Sequence, residues 1–192
     1  KLFRNLLKNL DYPVAAPSAN MSSRLSSVKP SDVKEEFGSK IKYILNGGKS
    51  KIGVESTILN LLEKPSLLRY GGLDTKKIEN VLKKKLLINT NSKKKLSPGL
   101  FLLHYSPGIP LRTNVKKPKE DEAYLLIKKR KPNLKKYYYL SKVKDIEEAA
   151  KNLYSTLRKI KNDGFNKIAV EKIPNKGLGK TINDRLKKAS KY

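Results

Sequence analysis

Residues 145–171 read DIEEAAKNLYSTLRKIKNDGFNKIAVE, and their pattern decides the fold class. Ala149, Ala150, Leu153, Leu157 and Ile160 recur at spacings of three and four, which puts them on one face of a helix over 145–162. Asp145, Glu147 and Glu148 fall in its first turn, where the helix dipole favours negative charge. A short apolar strand follows over 167–171. Outward from this helix–strand pair, strands are predicted over 123–127 and 137–140, and a last helix over 178–190. Together they make a small α/β unit over 119–192.

Upstream, residues 86–118 lose periodicity and carry Pro98, Pro107, Pro110 and Pro118 among Asn, Ser, Lys and Gly. This reads as an extended linker. Residues 1–85 read as a second α/β segment. It has a helix over 1–10, a short strand at Val14-Ala15-Ala16, a helix near 31–37 and a strand from Ile41 to Leu45. Strands over Ser56 to Leu62 and Ser66 to Tyr70 follow, then a helix capped by Asp74-Thr75 and running to about Lys85. The chain starts at Lys1 inside an amphipathic helix, without Met, and is expected to lack an N-terminal part.

Composition excludes several chemistries. The 192 residues contain no Cys and one His, so no disulfide scaffold, cysteine nucleophile, zinc finger or multi-histidine metal site is expected. No apolar run approaches the length of a membrane span, and no signal peptide is recognisable. A soluble cytoplasmic protein is the expectation. The formal net charge is +27, which invites a nucleic-acid reading. Yet the arginines are only Arg4, Arg24, Arg69, Arg112, Arg130, Arg158 and Arg185, and the other 37 basic residues are Lys. Specific phosphate and base recognition favours the planar Arg fork, so solvated lysines stand beside RNA binding as a reading.

Two apparent P-loop ends, Gly48-Lys49-Ser50 and Gly179-Lys180-Thr181, fail on the required upstream Gly, because Tyr43 and Pro174 stand there. Four other segments can carry chemistry. Ala15-Ala16-Pro17-Ser18-Ala19-Asn20-Met21-Ser22 combines small residues, which let the backbone approach a ligand, with the neutral polar groups of Ser18, Asn20, Ser22 and Ser26. It also reads as an ordinary turn or cap cluster. Gly53-Val54-Glu55-Ser56-Thr57 sets a carboxylate and two hydroxyls at the mouth of a strand, and Arg69 on the next strand can face Ser56 and offer fixed positive charge to a phosphate. The linker brings His104-Tyr105 between prolines. Gly177-Leu178-Gly179 opens the last helix, where glycines can admit an anion or simply pack.

Taken together and in order, these segments resemble the L-threonylcarbamoyladenylate synthase family, in its longer two-domain form with a YrdC-type domain. The resemblance rests on APSAN, ILNGG at 44–48, GVEST at 53–57, LLRYGG at 67–72, SPG…HYSP at 97–107, AAKNLYSTLR at 149–158 and GLGKTINDRL at 177–186, with Ser26 between the first two. It implies a partial YrdC-like twisted α/β domain over 1–85, an extended linker with the HYSP lid motif over 86–118 and a small Rossmann-like α/β domain over 119–192. It also implies an activity. L-threonine, bicarbonate and ATP with Mg²⁺ would give threonylcarbamoyl-AMP and diphosphate for t6A at position 37 of tRNA. The intermediate would be handed to a tRNA-threonylcarbamoyl transferase complex.

The roles the resemblance implies are Ala16 and Ser56 for L-threonine, and Ser18, Ser26, Arg69, His104 and Tyr105 for ATP. Asn20 would brace the loop. No general base or covalent nucleophile is implied, and the smaller domain would regulate access by docking on the first. Three departures stand out: the missing N-terminal part, Ser23 where the family has Gly, and the apolar Phe101-Leu102-Leu103 where many members are basic. A non-catalytic basic tRNA- or RNA-binding module is the alternative. A related carbamoyl-transfer enzyme is a third reading, disfavoured by the linker and second domain.

Overall fold

The computed structural model describes residues 2–62, 64–90, 104–130, 132 and 134–191. The carboxyl-terminal half is built on a parallel sheet. Its strands are β4 (Leu111–Arg112), β5 (Ala123–Lys128), β6 (Tyr137–Ser141) and β7 (Ile168–Val170), in the order β4-β7-β5-β6. Helices α4 (Ile146–Asn162) and α5 (Gly179–Ala189) complete the unit.

Strand β5 is apolar at five consecutive positions because both of its faces are covered. Leu125 and Ile127 join Ala149, Leu153, Leu157 and Ile160 of α4 and Ile182 and Leu186 of α5 in the main core. Tyr124 and Leu126 point the other way, into a smaller cluster with Val115 and Ala169. The Tyr124 hydroxyl donates to the Val115 carbonyl at 2.8 Å, so this ring is buried with its polar end satisfied. Asp145 is the N-cap of α4, its carboxylate accepting from the Glu147 and Glu148 amides at 2.7 and 3.1 Å.

The amino-terminal half has helix α1 (Leu2–Lys8), helix α2 (Pro30–Phe37) and a 3-10 turn at Gly38–Lys40. A small sheet follows, with β1 (Ile58–Asn60), β2 (Ser66–Arg69) and β3 (Leu87–Ile88) in that order, and α3 (Thr75–Leu82) precedes β3. β2 is antiparallel to β1 and parallel to β3. No described residue of α1 is buried, and its Leu2, Phe3, Leu6 and Leu7 face outward. No helix among the described residues is long and apolar enough to cross a membrane.

The mixed α/β class read from the sequence is the class observed, and four element predictions need correction. Val14-Ala15-Ala16 and Ile41–Leu45 are not strands. Both runs are largely exposed, with Tyr43 at 80%, and among the described residues have no neighbouring strand whose ladder could satisfy their backbone groups. The strand predicted over 56–62 is confined to Ile58–Asn60. Helix α3 stops at Leu82 because Lys83 takes a left-handed conformation (φ 53°). The stretch read as linker carries β3, which extends the first sheet, and β4, which extends the second.

The two halves meet along α4 and α5. Arg158 donates to the Leu25 carbonyl at 2.7 Å and to Glu36 at 3.2 Å. Ser106 donates its amide to Ser23 at 2.8 Å, next to a parallel bridge between Arg24 and Ser106. Ser23 holds φ 65°, the conformation that glycine adopts without penalty. Leu157→Ala is expected to cost about 2–5 kcal/mol in urea unfolding, whereas Leu62→Ala, at a side chain 94% exposed, should leave the midpoint almost unmoved.

Candidate active site

The GVEST loop, residues 53–57, is pressed against helix α4. Gly53 has φ 80°, and a Cβ there would lie 2.4 Å from the Lys151 carbonyl oxygen. A Cβ on Gly71 would lie 2.2 Å from the Ser56 carbonyl carbon. These two glycines let the loop, the end of β2 and α4 close on one another. Thr181 of α5 adds a hydrogen bond to the Gly71 carbonyl at 2.9 Å.

Arg69, buried at the end of β2, grips this loop. Its Nε and one terminal nitrogen donate to the Ser56 carbonyl at 3.0 and 2.9 Å, and the latter also reaches the Ser56 hydroxyl at 3.1 Å. The neighbouring Glu55 looks the opposite way, into the boundary between the halves. Its carboxylate accepts from the Ser26 hydroxyl, from the Tyr154 hydroxyl at 3.0 Å and from Arg185 Nε at 3.0 Å. Burial alone would lift the Glu55 pKa, but the Arg185 charge and the hydrogen bonds carry it below its ordinary value. Glu55 is therefore an anion at neutral pH.

Above this carboxylate lies the His104-Tyr105 turn. Tyr105 is 1% exposed, stacks on Tyr154 with ring centroids 5.9 Å apart, and has the Arg185 guanidinium 4.5 Å over its face. Burial pushes its hydroxyl up to about 12. His104 lies 4.0 Å from the Tyr105 ring, and its Nδ1 accepts from the Tyr105 amide at 3.0 Å. Its pKa is lowered, first by burial and then by the charges of Arg185, Lys188 and Arg69, against the opposing pull of Glu55.

Of the residues singled out from the sequence, Ser26, Ser56, Arg69, His104 and Tyr105 converge here. Ala16 and Ser18 lie on the exposed 11–19 stretch, and the Ser18 hydroxyl has no protein partner among the described residues. Asn20 closes the turn that follows, donating to the Met21 and Arg24 carbonyls at 2.9 and 3.3 Å. Beside Glu55, Ser56 and Thr57 opens a groove of about 710 Å³ walled by Ile52, Val54, Leu59, Leu73 and Ile78, a ligand-sized volume. The SPG motif at 97–99 and the apolar 101–103 lie outside the described residues.

A family model described as threonylcarbamoyl-AMP synthase, C-terminal domain, matches residues 73–191. The chain belongs to the threonylcarbamoyl-AMP synthase family. A second family model, described as telomere recombination, matches residues 1–71. The threonylcarbamoyl-AMP synthase of Pyrococcus abyssi is 35% identical, covering 97% of this chain and 60% of that protein. That of Bacillus subtilis is 30% identical, covering 96% of this chain and 59% of that protein. The crystal structure of P. abyssi Sua5 complexed with L-threonine superposes with a TM-score of 0.82 at 33% identity, covering 95% of this chain and 59% of that one. A His-and-Tyr double variant of the same archaeal protein gives 0.76 at 31% identity, covering 95% and 58%. The chain thus spans about three-fifths of the length of these synthases.

Sequence reasoning passed over Tyr154, Arg185 and the role of Glu55 in this synthase-family site. A signal for two of them was available. Tyr154 follows Leu153 on the buried side of α4, and a buried tyrosine needs a partner for its hydroxyl. Arg185 shares the buried side of α5 with Ile182, Leu186 and Ala189, and a charge placed there calls for an opposite one.

The lowered His104 pKa has a measurable consequence. As pH falls below 6.5, the ordinary value, the unfolded chain takes up this proton before the folded one does, so stability declines. Urea midpoints across this range should fall with pH, and His104→Gln should flatten that fall; identical slopes would refute the burial account.

Proposed function

We propose that this chain forms the larger part of an enzyme that makes threonylcarbamoyl-AMP and diphosphate from L-threonine, bicarbonate and ATP. The product would serve t6A formation in cytoplasmic tRNA and pass to a tRNA-threonylcarbamoyl transferase complex. The observation that carries this reading is the convergence of Ser56 and Arg69 with the His104-Tyr105 turn across the end of β2. Membership of the family and the likeness to a Sua5 structure bound to L-threonine support it.

The chemistry asks for positioning. Threonine carbamate is a weak nucleophile that decomposes in water. It forms when the threonine amine adds to bicarbonate with loss of water; one of the carbamate oxygens then attacks the α-phosphorus of ATP, the bond from that phosphorus to the bridging oxygen breaks, and diphosphate leaves with the electron pair. A site that holds the carbamate in line and excludes water supplies most of the acceleration. Ser56 and the Ala16 backbone would hold threonine. Ser18, Ser26, His104 and Tyr105 would bound the nucleotide, and Arg69 would offset the negative charge that grows on the phosphates. Ser26, whose one hydroxyl proton goes to Glu55, would meet the nucleotide as an acceptor.

Mg²⁺ would arrive on the triphosphate. No group of three or more His, Cys, Asp or Glu side chains converges among the described residues, and the carboxylate nearest the site, Glu55, is engaged by Arg185, Tyr154 and Ser26. These residues do not compose a metal site of their own.

The test is diphosphate release from ATP by the full open reading frame that encodes this chain. Release should require both threonine and bicarbonate, and Arg69→Ala should lower kcat/KM by about 100-fold or more. Release that ignores threonine, or an unimpaired Arg69→Ala protein, would refute the proposal.

A further inference from the structure

The charged cluster at the boundary of the two halves is larger than an ion pair needs to be. Arg185 is 1% exposed. Its Nε reaches Glu55 at 3.0 Å and the Tyr154 hydroxyl at 3.2 Å, one terminal nitrogen reaches the Tyr70 carbonyl at 2.7 Å and Glu55 at 3.0 Å, and the other pairs with Asp184. Its planar face lies against Tyr105. Every edge of the guanidinium is therefore occupied, and the partners come from separate parts of the chain: the GVEST loop, the end of β2, the 104–105 turn, α4 and α5 itself.

Those same parts carry the groups proposed to meet ligand. Glu55 adjoins Ser56 and accepts from Ser26. Tyr70 adjoins Arg69. Tyr105 adjoins His104 and sits at φ 62°, a conformation costly for a bulky side chain unless its surroundings hold it there. Its ring is packed against the Tyr154 ring, 5.9 Å away, and under the Arg185 guanidinium, 4.5 Å from its centroid. Neither Tyr154 nor Arg185 has a polar atom to spare for ligand, since Tyr154 is fully buried and Arg185 fully engaged.

We infer that Tyr154 and Arg185 of the carboxyl-terminal unit are positioning residues for the synthase reaction. Through Glu55 and the Tyr105 ring they set the places of Ser26, Ser56 and His104. The inference rests on the proposed function and deepens it: the second unit has a stereochemical part in catalysis, held in two named side chains.

Tyr154→Phe is the gentlest probe, because it deletes one hydroxyl and keeps the ring; Arg185→Lys is the second, keeping charge and losing the fork. Both belong in the full-length enzyme, assayed where circular dichroism shows it fully folded. Two readouts are taken: diphosphate release as a function of ATP, and amide hydrogen exchange in a peptide covering 104–107, with β5 as reference. Positioning predicts that ATP KM rises about fivefold or more, that kcat falls, and that exchange in 104–107 quickens while β5 is unchanged. A purely structural role scales kcat with the folded fraction and leaves KM unmoved, and that result overturns the inference while the synthase reading stands. An unmoved exchange rate in 104–107 also overturns it. Wild-type protein that releases no diphosphate refutes the synthase reading and, with it, any part for these residues in synthase catalysis, whereas the exchange readout still shows whether they anchor the turn.

Discussion

A guanidinium withdrawn from water costs several kcal/mol unless nearly all its donors are met and an opposite charge lies close. Arg185 meets that demand only when both halves of the molecule are in place. Glu55 and Tyr70 come from the first, Tyr154 and Asp184 from the second, and Tyr105 from the stretch between. This single requirement fixes how the units sit together. A slide of one ångström along α5 would break several bonds at once and leave two buried charges without partners. Apolar contacts beside it tolerate such a slide far better, because they are not directional. The contact between Arg158 and the Leu25 carbonyl adds a second directional pin on α4, so the two halves are registered in both rotation and translation.

What the sequence discloses depends on whether its residues answer to local or distant partners. Helix α4 could be read closely because its stripe of Ala149, Leu153, Leu157 and Ile160 and its Asp145 cap are local features. β5 could be read because five buried positions in a row need cover on both faces. Val14–Ala16 and Ile41–Leu45 look equally apolar, but a strand exists only by virtue of a neighbour, and no periodicity reports whether a neighbour is there. The proline-bearing stretch hid β3 and β4 for the same reason: two residues each are too few to show alternation. In the site, the GVEST and YGG glycines could be seen as permissive, while the backbone they make room for, at Lys151 and Ser56, lies far away in sequence or across a turn. Tyr154 and Arg185 stand 99 and 130 positions from Glu55, and residue type alone does not join them.

The two halves also differ in closure. Among the described large apolar side chains that stay exposed, only Leu134 and Val143 lie beyond Ile88, while the first half exposes α1 and the groove that runs to Val81, itself 82% exposed. The second unit satisfies itself on both faces of its sheet. The candidate site sits where the open unit leans on the closed one, so its rigid wall comes from the carboxyl-terminal side and the GVEST loop from the other.

That division suits the proposed reaction, which would need no proton-transfer residue. Where acceleration comes from alignment, the groups touching ligand gain from being braced by groups that do not, since a small misplacement is enough to lose rate. The brace must also hold its charge state across working pH. Arg185 keeps Glu55 ionised in spite of burial, and burial keeps the Tyr105 and Tyr154 hydroxyls protonated, so nothing in the brace titrates near neutrality. His104, at the outer edge of the same cluster, is pushed toward its neutral form by burial and by Arg185, Lys188 and Arg69. With its Nδ1 accepting from the Tyr105 amide, a neutral imidazole has only Nε2 left to offer and adds no second fixed cation; in the proposed reaction Arg69 would be the charge that meets the phosphates.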